Sequence, residues 1–226
     1  MKKRVLVVAA HPDDQVLGCG GTLARLVDEG CEAFCLILGE GATSRDPRRN
    51  RSGRAREISS LRRQTREADR ILGIRKTFHF GFPDNRFDTV ALLDVVKAVE
   101  KVKAEVEPAL IFTHDSGDLN IDHRVAHEAV LTAARPVPGE PVREIYAFEV
   151  PSSSEWAYPP SFRPDVFYDV ASTLTRKLDA MRAYADELRA PPHPRSLEGI
   201  ETFAAAWGFK TGMGRAEAFR SLRVLR

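Results

Sequence analysis

Cysteine is scarce: Cys19, Cys31 and Cys35 are the only three in 226 residues, an odd number confined to one short region. Nothing there calls for a disulfide framework, and the three read as small buried residues. No apolar run approaches the roughly 20 residues that span a bilayer. The basic start, Met1-Lys2-Lys3-Arg4, leads into an apolar segment that ends by Ala10 in His-Pro-Asp-Asp, without the small-residue cleavage site of a secretory signal. A cytoplasmic protein is the expectation. The formal net charge is only +2, so the chain as a whole exerts no pull toward nucleic acid or an anionic membrane. Repeats and low-complexity segments are absent as well. With 43% hydrophobic residues, what remains is enough to bury one substantial core, and a single domain over residues 1–226 is expected.

Charge of one sign does gather locally. Between Arg45 and Arg66 nine arginines face only Asp46 and Glu57. A solvated loop entering an exposed helix face is one reading; a cover for an anionic substrate, using the guanidinium fork, is the other. The segment lacks the interleaved aromatics that stack on bases, so nucleic acid is not an expected partner.

The chain is built around Val5 to Thr22, VLVVAAHPDDQVLGCGGT. Val5–Ala10 has the unbroken apolar character of a strand buried on both faces, and it delivers His11, Asp13 and Asp14 into a loop stiffened by Pro12. Gly18, Gly20 and Gly21 predict a tight turn before helical spacing resumes at Thr22. Further strands are expected at Cys31–Leu38, Lys76–Phe80, Ala109–His114, Val142–Val150 and, as a short or edge segment, Asp165–Val170. Helical periodicity lies between them: a helix ending near Leu72 with Gly73 as its cap, the stripe Leu92 to Val102 capped by Asp88 or Thr89, Val125–Ala134, Thr173–Leu188, and two terminal helices beyond a rigid Pro191–Ser196 link. Alternating strands and crossover helices predict an α/β, Rossmann-like three-layer α/β/α sandwich with a mostly parallel sheet.

Chemistry-bearing residues collect after two of these strands. His11-x-x-Asp14 follows the first, and Asp115-Ser116-Gly117-Asp118-Leu119-Asn120-Ile121-Asp122-His123 follows the fourth. One nitrogen and one oxygen from the first group and His123 from the second make a three-donor set, the number used by catalytic metal sites that keep a position open. A divalent ion there lowers the pKa of bound water toward 7, and Asp13 stands beside it to take a proton.

These residues carry a family resemblance. Ala9-x-His11-Pro12-Asp13-Asp14, Gly20-Gly21-Thr22 and Asp122-His123 resemble the LmbE-like or PIG-L family of zinc-dependent N-deacetylases, over nearly the whole chain. Phe82-Pro83-Asp84-Asn85-Arg86, the Asp118–Arg124 run and Pro192-His193-Pro194-Arg195-Ser196 resemble its bacterial branch in sugar and surface-polysaccharide biosynthesis. The resemblance implies Zn2+ on His11, Asp14 and His123 with Asp13 as general base. The substrate it implies is a small N-acetylated amino sugar, free or on a nucleotide, phosphate or lipid carrier.

Two departures bear on its use. Gln15 stands where the family usually has Glu, and Asn120 stands where many members have a histidine, removing a cationic donor. His193 is the expected replacement, with Asn120 and Asp122 also assigned to the catalytic group and Arg86, Asp118 and Arg195 to substrate binding. The expected function is removal of acetyl from an amino sugar. The alternatives are the same chemistry on a non-sugar amide, or a noncatalytic Rossmann-like nucleotide-binding protein, which the lack of a G-x-G-x-x-G spacing disfavours. A homo-oligomer is compatible with the sequence.

Overall fold

The computed structural model describes residues 2–226. Seven strands form one sheet in the order β3-β2-β1-β4-β5-β7-β6. The first five are β1 (Arg4–Ala9), β2 (Glu32–Gly39), β3 (Ile74–Phe82), β4 (Leu110–His114) and β5 (Glu144–Phe148), and all their pairings are parallel. Six helices flank them: α1 (Asp14–Asp28), α2 (Ala55–Leu72), α3 (Leu92–Val106), α4 (Ile121–Ala133), α5 (Leu174–Ala183) and α6 (Leu197–Thr211).

Alternation along β1 explains the layering. Val5 and Val7 point into one core with Leu23, Leu61, Met181 and Tyr184, while Leu6 and Val8 point into the other with Val95, Val99, Ala126 and Val130. A strand with helices on both faces must be apolar on both sides, which is why β1 reads as an unbroken apolar run. The expected three-layer α/β sandwich is therefore the fold. β1 lies between β2 and β4, so the chain direction across the sheet reverses there, and the carboxyl ends of β1 and β4 open onto one crevice.

The carboxyl-terminal region differs from expectation. In place of two terminal helices there is α6 and then β7 (Ala216–Val224), which inserts antiparallel between β5 and β6 (Val166–Asp169). Gly212 ends α6 in a left-handed conformation, φ 72°, and the chain returns through the sheet. Glu217 on β7 has a local sequence setting that says nothing of its partners.

Those partners lie in α1, where the glycines do not form the expected turn. Helix α1 starts at Asp14 and runs through Gly18, Gly20 and Gly21, bending at Cys19, whose φ is −147°. Glu217 accepts hydrogen bonds from Gly21 N (3.0 Å) and Thr22 N (2.7 Å), two amides at the bend, and pairs with Lys177, whose Nζ donates to Leu17 O (2.7 Å). Gly18 is needed for close packing: a Cβ there would lie 2.2 Å from the Phe148 ring. With their space taken by Phe148, Val170 and Lys177, the glycines leave no room for the phosphate cradle on which the nucleotide-binding alternative drew.

The arginine-rich stretch is neither free nor fully solvated. Arg49 grips Glu40 with two bonds of 2.8 and 3.0 Å, and Arg54 grips Asp46 with two of 2.9 and 2.6 Å. Arg45 reaches Glu187 at 2.7 Å. The neighbouring acid Glu40 and the distant Glu187 thus offset part of the local excess of positive charge.

Candidate active site

Three loops and two helix starts build the site at the carboxyl ends of β1 and β4. Asp13 is the N-cap of α1 in the left-handed region, φ 100°, ψ −29°. A non-glycine residue there costs on the order of 1–2 kcal/mol, so the surroundings must hold it. Its carbonyl accepts from the amides of Val16 and Leu17 (both 2.9 Å), and its own side chain makes no cap, which leaves the carboxylate free to face the cavity. Helix α4 begins four residues earlier than the periodicity suggested. Asn120 caps it by accepting from Asp122 N (2.8 Å), so Asp122 and His123 occupy its first turn.

His11, Asp14 and His123 converge. His11 Nδ1 lies 3.4 Å from Asp14 Oδ2, His123 Nε2 lies 3.4 Å from the same oxygen, and the two ring nitrogens are 3.3 Å apart. Three donors on tetrahedral bonds of about 2.0–2.1 Å are separated by about 3.3–3.4 Å, so the donor set fits an ion of zinc size. The rear of each imidazole is also prepared. His11 Nε2 donates to Asp122 Oδ2 (3.0 Å), and His123 Nδ1 lies 3.0 Å from Asp118 Oδ1, the carboxylate–histidine pairing that orients metal-ligating rings.

The charges fit a cation equally well. Burial acts to push the His11 ring down, but the Asp122 hydrogen bond and the charge of Asp14 hold it well above its ordinary pKa. The same opposition, with Asp14 and Asp118 outweighing burial, raises His123 to about 9. Asp14, despite burial, is held well below the usual carboxylate range by His123 and His114. The pocket thus favours positive charge where the three donors meet. Burial raises Asp13 to about 8, with Arg195 opposing and Asp14 and Glu187 adding to the rise.

The cavity in front of these groups measures about 250 Å3. Asp13, Asn120 and Arg195 line it, as do Arg45 from the arginine-rich stretch and Asn85 from the Phe82–Arg86 motif, together with Glu187, Arg189, Ser152 and Ser153, which sequence reasoning did not assign. His114 was also missed. Its ring stacks on His123 at a centroid distance of 4.0 Å, and its Nε2 accepts from Ala10 N (2.9 Å), locking the end of β1 to the end of β4.

Four expected site residues lie outside the cavity. Asp122 is fully buried behind His11, where it also accepts from Asn85 N (2.7 Å) and Phe87 N (2.8 Å), so it cannot touch a substrate. Asp118 is buried behind His123 and accepts from Ser154 Oγ (2.5 Å) and Ser153 Oγ, which ties the 150s loop to the centre. Arg86 turns to Pro47 O (3.1 Å). His193 accepts from Arg195 N (3.0 Å) through Nδ1 and meets Trp156 edge-on, so it shapes the turn that presents Arg195 and does not itself line the cavity. Asn120 lines the cavity, but both ends of its amide are engaged, with Nδ2 donating to Asn85 Oδ1 (2.9 Å).

The GlcNAc-PI de-N-acetylase (PIG-L) family profile matches residues 6–134, more than half of the chain and both histidine-bearing segments. The chain belongs to this family. Among relatives of this family member is the uncharacterized deacetylase YaiS of Escherichia coli, 31% identical over 81% of this chain and 91% of that protein. A probable N-acetyl-alpha-D-glucosaminyl L-malate deacetylase 2 of Bacillus cereus is 27% identical over 84% and 86%. A 4-oxalmesaconate hydratase of Pseudomonas putida is 29% identical over 82% and 74%. The conserved protein TT1542 of Thermus thermophilus superposes with a TM-score of 0.76 at 27% identity, covering 98% of this chain and 96% of that one. Deacetylases of N-acetylglucosamine derivatives are thus among the homologues. No helix among the described residues of this family member is long and apolar enough to cross a membrane.

Proposed function

We propose that this chain is a zinc-dependent hydrolase that removes the acetyl group from an N-acetylated glucosamine derivative in glycoconjugate biosynthesis, in the cytoplasm. The observation that carries this is the triangle of His11 Nδ1, Asp14 Oδ2 and His123 Nε2 with Asp13 standing free at its edge. A divalent ion held by those three residues would supply Lewis acidity and a water of lowered pKa.

The chain's own groups supply the rest. Asp13 takes the proton of the attacking water and returns it to the departing amine, a role suited to a carboxyl whose pKa burial has raised toward neutrality. Arg195 Nη1 lies 3.4 Å from Asp13 Oδ2, and its Nε is anchored on Ser152 Oγ (2.9 Å), so it offers a fixed cation at the cavity wall. That makes Arg195 the positive group that Asn120 cannot be, and a group for the oxyanion or for an anionic part of the substrate. Asp122 and Asp118 act through the rings in front of them as positioning residues.

The test is acetate release by the zinc-loaded protein from a panel of N-acetylglucosaminides, free and linked to malate, inositol, phosphate or nucleotide diphosphate. Zinc-dependent release from at least one supports the reading. Hydration of 4-oxalmesaconate with no acetate release from any sugar overturns it in favour of the chemistry named for the Pseudomonas relative.

A further inference from the structure

Asp13 is tied at its amide by a chain of side chains that leads away from the cavity. Asp13 N donates to Gln15 Oε1 (3.1 Å), Gln15 Nε2 donates to Tyr184 Oη (2.8 Å), Tyr184 Oη donates to Thr65 Oγ1 (3.0 Å), and Thr65 Oγ1 donates to Leu61 O (2.9 Å). Gln15, Tyr184 and Thr65 are all fully buried. Three separate elements, α1, the end of α5 and the interior of α2, are joined by it.

The direction of every link is forced. A backbone N–H can only donate, so the carbonyl end of Gln15 faces Asp13 and the amino end faces Tyr184. Tyr184, having accepted, sends its own proton to Thr65, and Thr65 sends its proton to a helix carbonyl. A carboxylate at position 15 could still accept from Asp13 N, but it has no proton to pass on, and the Tyr184 hydroxyl would have to serve either it or Thr65. With glutamate the hydroxyls would have to run the other way, Thr65 to Tyr184 to the carboxylate, and the Leu61 carbonyl would lose its side-chain donor, so the glutamine sets the direction of the chain.

We infer that Gln15, with Tyr184 and Thr65 behind it, is a positioning device that holds Asp13 in its left-handed backbone conformation and so aims the Asp13 carboxylate at the reacting atoms. Asp13 has its carbonyl fixed by Val16 and Leu17 and its amide fixed by Gln15, so the peptide is clamped on both sides and only the carboxylate is left for chemistry. A buried amide in this position needs an acceptor, and no other is bonded to it. This inference rests on the reading of Asp13 as the proton-transfer group.

The experiment measures hydrogen exchange of the Asp13 amide by NMR alongside turnover, in the zinc-loaded protein. Gln15→Met, nearly isosteric but without hydrogen-bonding ends, should expose the Asp13 amide to exchange about 100-fold faster while the Val16 and Leu17 amides stay protected. In the same variant kcat should fall about 10- to 100-fold at unchanged zinc content and KM, as expected for a misaimed group. Gln15→Glu keeps the acceptor and should keep most of the amide protection. Tyr184→Phe and Thr65→Val should each loosen the Asp13 amide in part, Thr65→Ser should restore it, and Gln15→Met combined with Tyr184→Phe should cost no more than Gln15→Met alone. Unchanged Asp13 exchange in Gln15→Met, or additive losses in the double variant, would overturn the inference. Were the wild type to release no acetate from any sugar, the substrate reading would fall, while the amide measurement would still decide this one.

Discussion

Arg195 and Asp13 face one another at the cavity wall, Nη1 to Oδ2 at 3.4 Å, although 182 positions separate them in the chain. The guanidinium also lies 3.7 Å from Glu187, which shares its other side with Arg45. Arg195 is thus held by carboxylates, a serine and the His193 turn, and it is the fixed positive charge next to Asp13.

Replacing Arg195 tests that role. Arg195→Ala should lower kcat about 100- to 1,000-fold, the usual scale for one oxyanion donor, at unchanged zinc content. His193→Ala, which only loosens the turn, should cost much less. Steady-state kinetics with metal analysis on both variants decides between them; a crippling His193→Ala beside a mild Arg195→Ala would return the role to the histidine.

Metal removal gives the second prediction. The purified protein should hold about one zinc per chain, and chelation should abolish acetate release. His11→Ala and His123→Ala should lose the ion outright. Asp122→Asn, which leaves the ligands intact but takes away the charge behind His11, should weaken affinity about 10- to 100-fold. Metal titration of the apoprotein measures all four; ligand-independent retention of zinc would place the ion elsewhere.

Asp13 should separate from the ligands. Asp13→Asn is expected to bind zinc like the wild type and to lose 100-fold or more in turnover, because an amide cannot accept the proton. Loss of zinc in step with activity would show that Asp13 is a ligand.

A pH prediction comes from outside the site. Asp69 on α2 is buried, its Oδ1 has no hydrogen-bond partner, and burial raises it from the ordinary 3.8 to about 7. Below about pH 4 the carboxyl is protonated in both the folded and unfolded chain and carries no penalty. Between about 4 and 7 the unfolded chain releases the proton while the folded one keeps it, so stability falls as pH rises; above 7 the loss is constant, on the order of 4 kcal/mol. Asp69→Asn should therefore stabilise the protein at pH 8 and leave it nearly unchanged at pH 4. Denaturant unfolding at the two pH values measures the difference, and an equal effect at both would show that the cause is not ionisation.

Much of this protein is written in short-range pattern. The apolar runs of β1 and β4 announce strands covered on both faces because a residue buried on either side of a sheet must be apolar whatever its parity. The first run ends directly in His11 and Asp14 and the second leads, through a short loop, to His123, so the three are legible as a candidate donor set from spacing and chemistry, and Gly73 is legible as a cap because its left-handed φ of 80° suits glycine. What sequence could not decide is everything that depends on a distant partner. Glu217 stabilises the bend of α1 from a strand 195 positions away, Asp122 and Asp118 stand behind the histidines instead of in the cavity, and Arg195, rather than His193, lies beside Asp13 at the cavity wall. Periodicity records which face of an element is buried, but hydrogen bonds and ion pairs act over about 3 Å between atoms, so their partners are chosen only when the sheet order and the packing of its helices bring remote segments together.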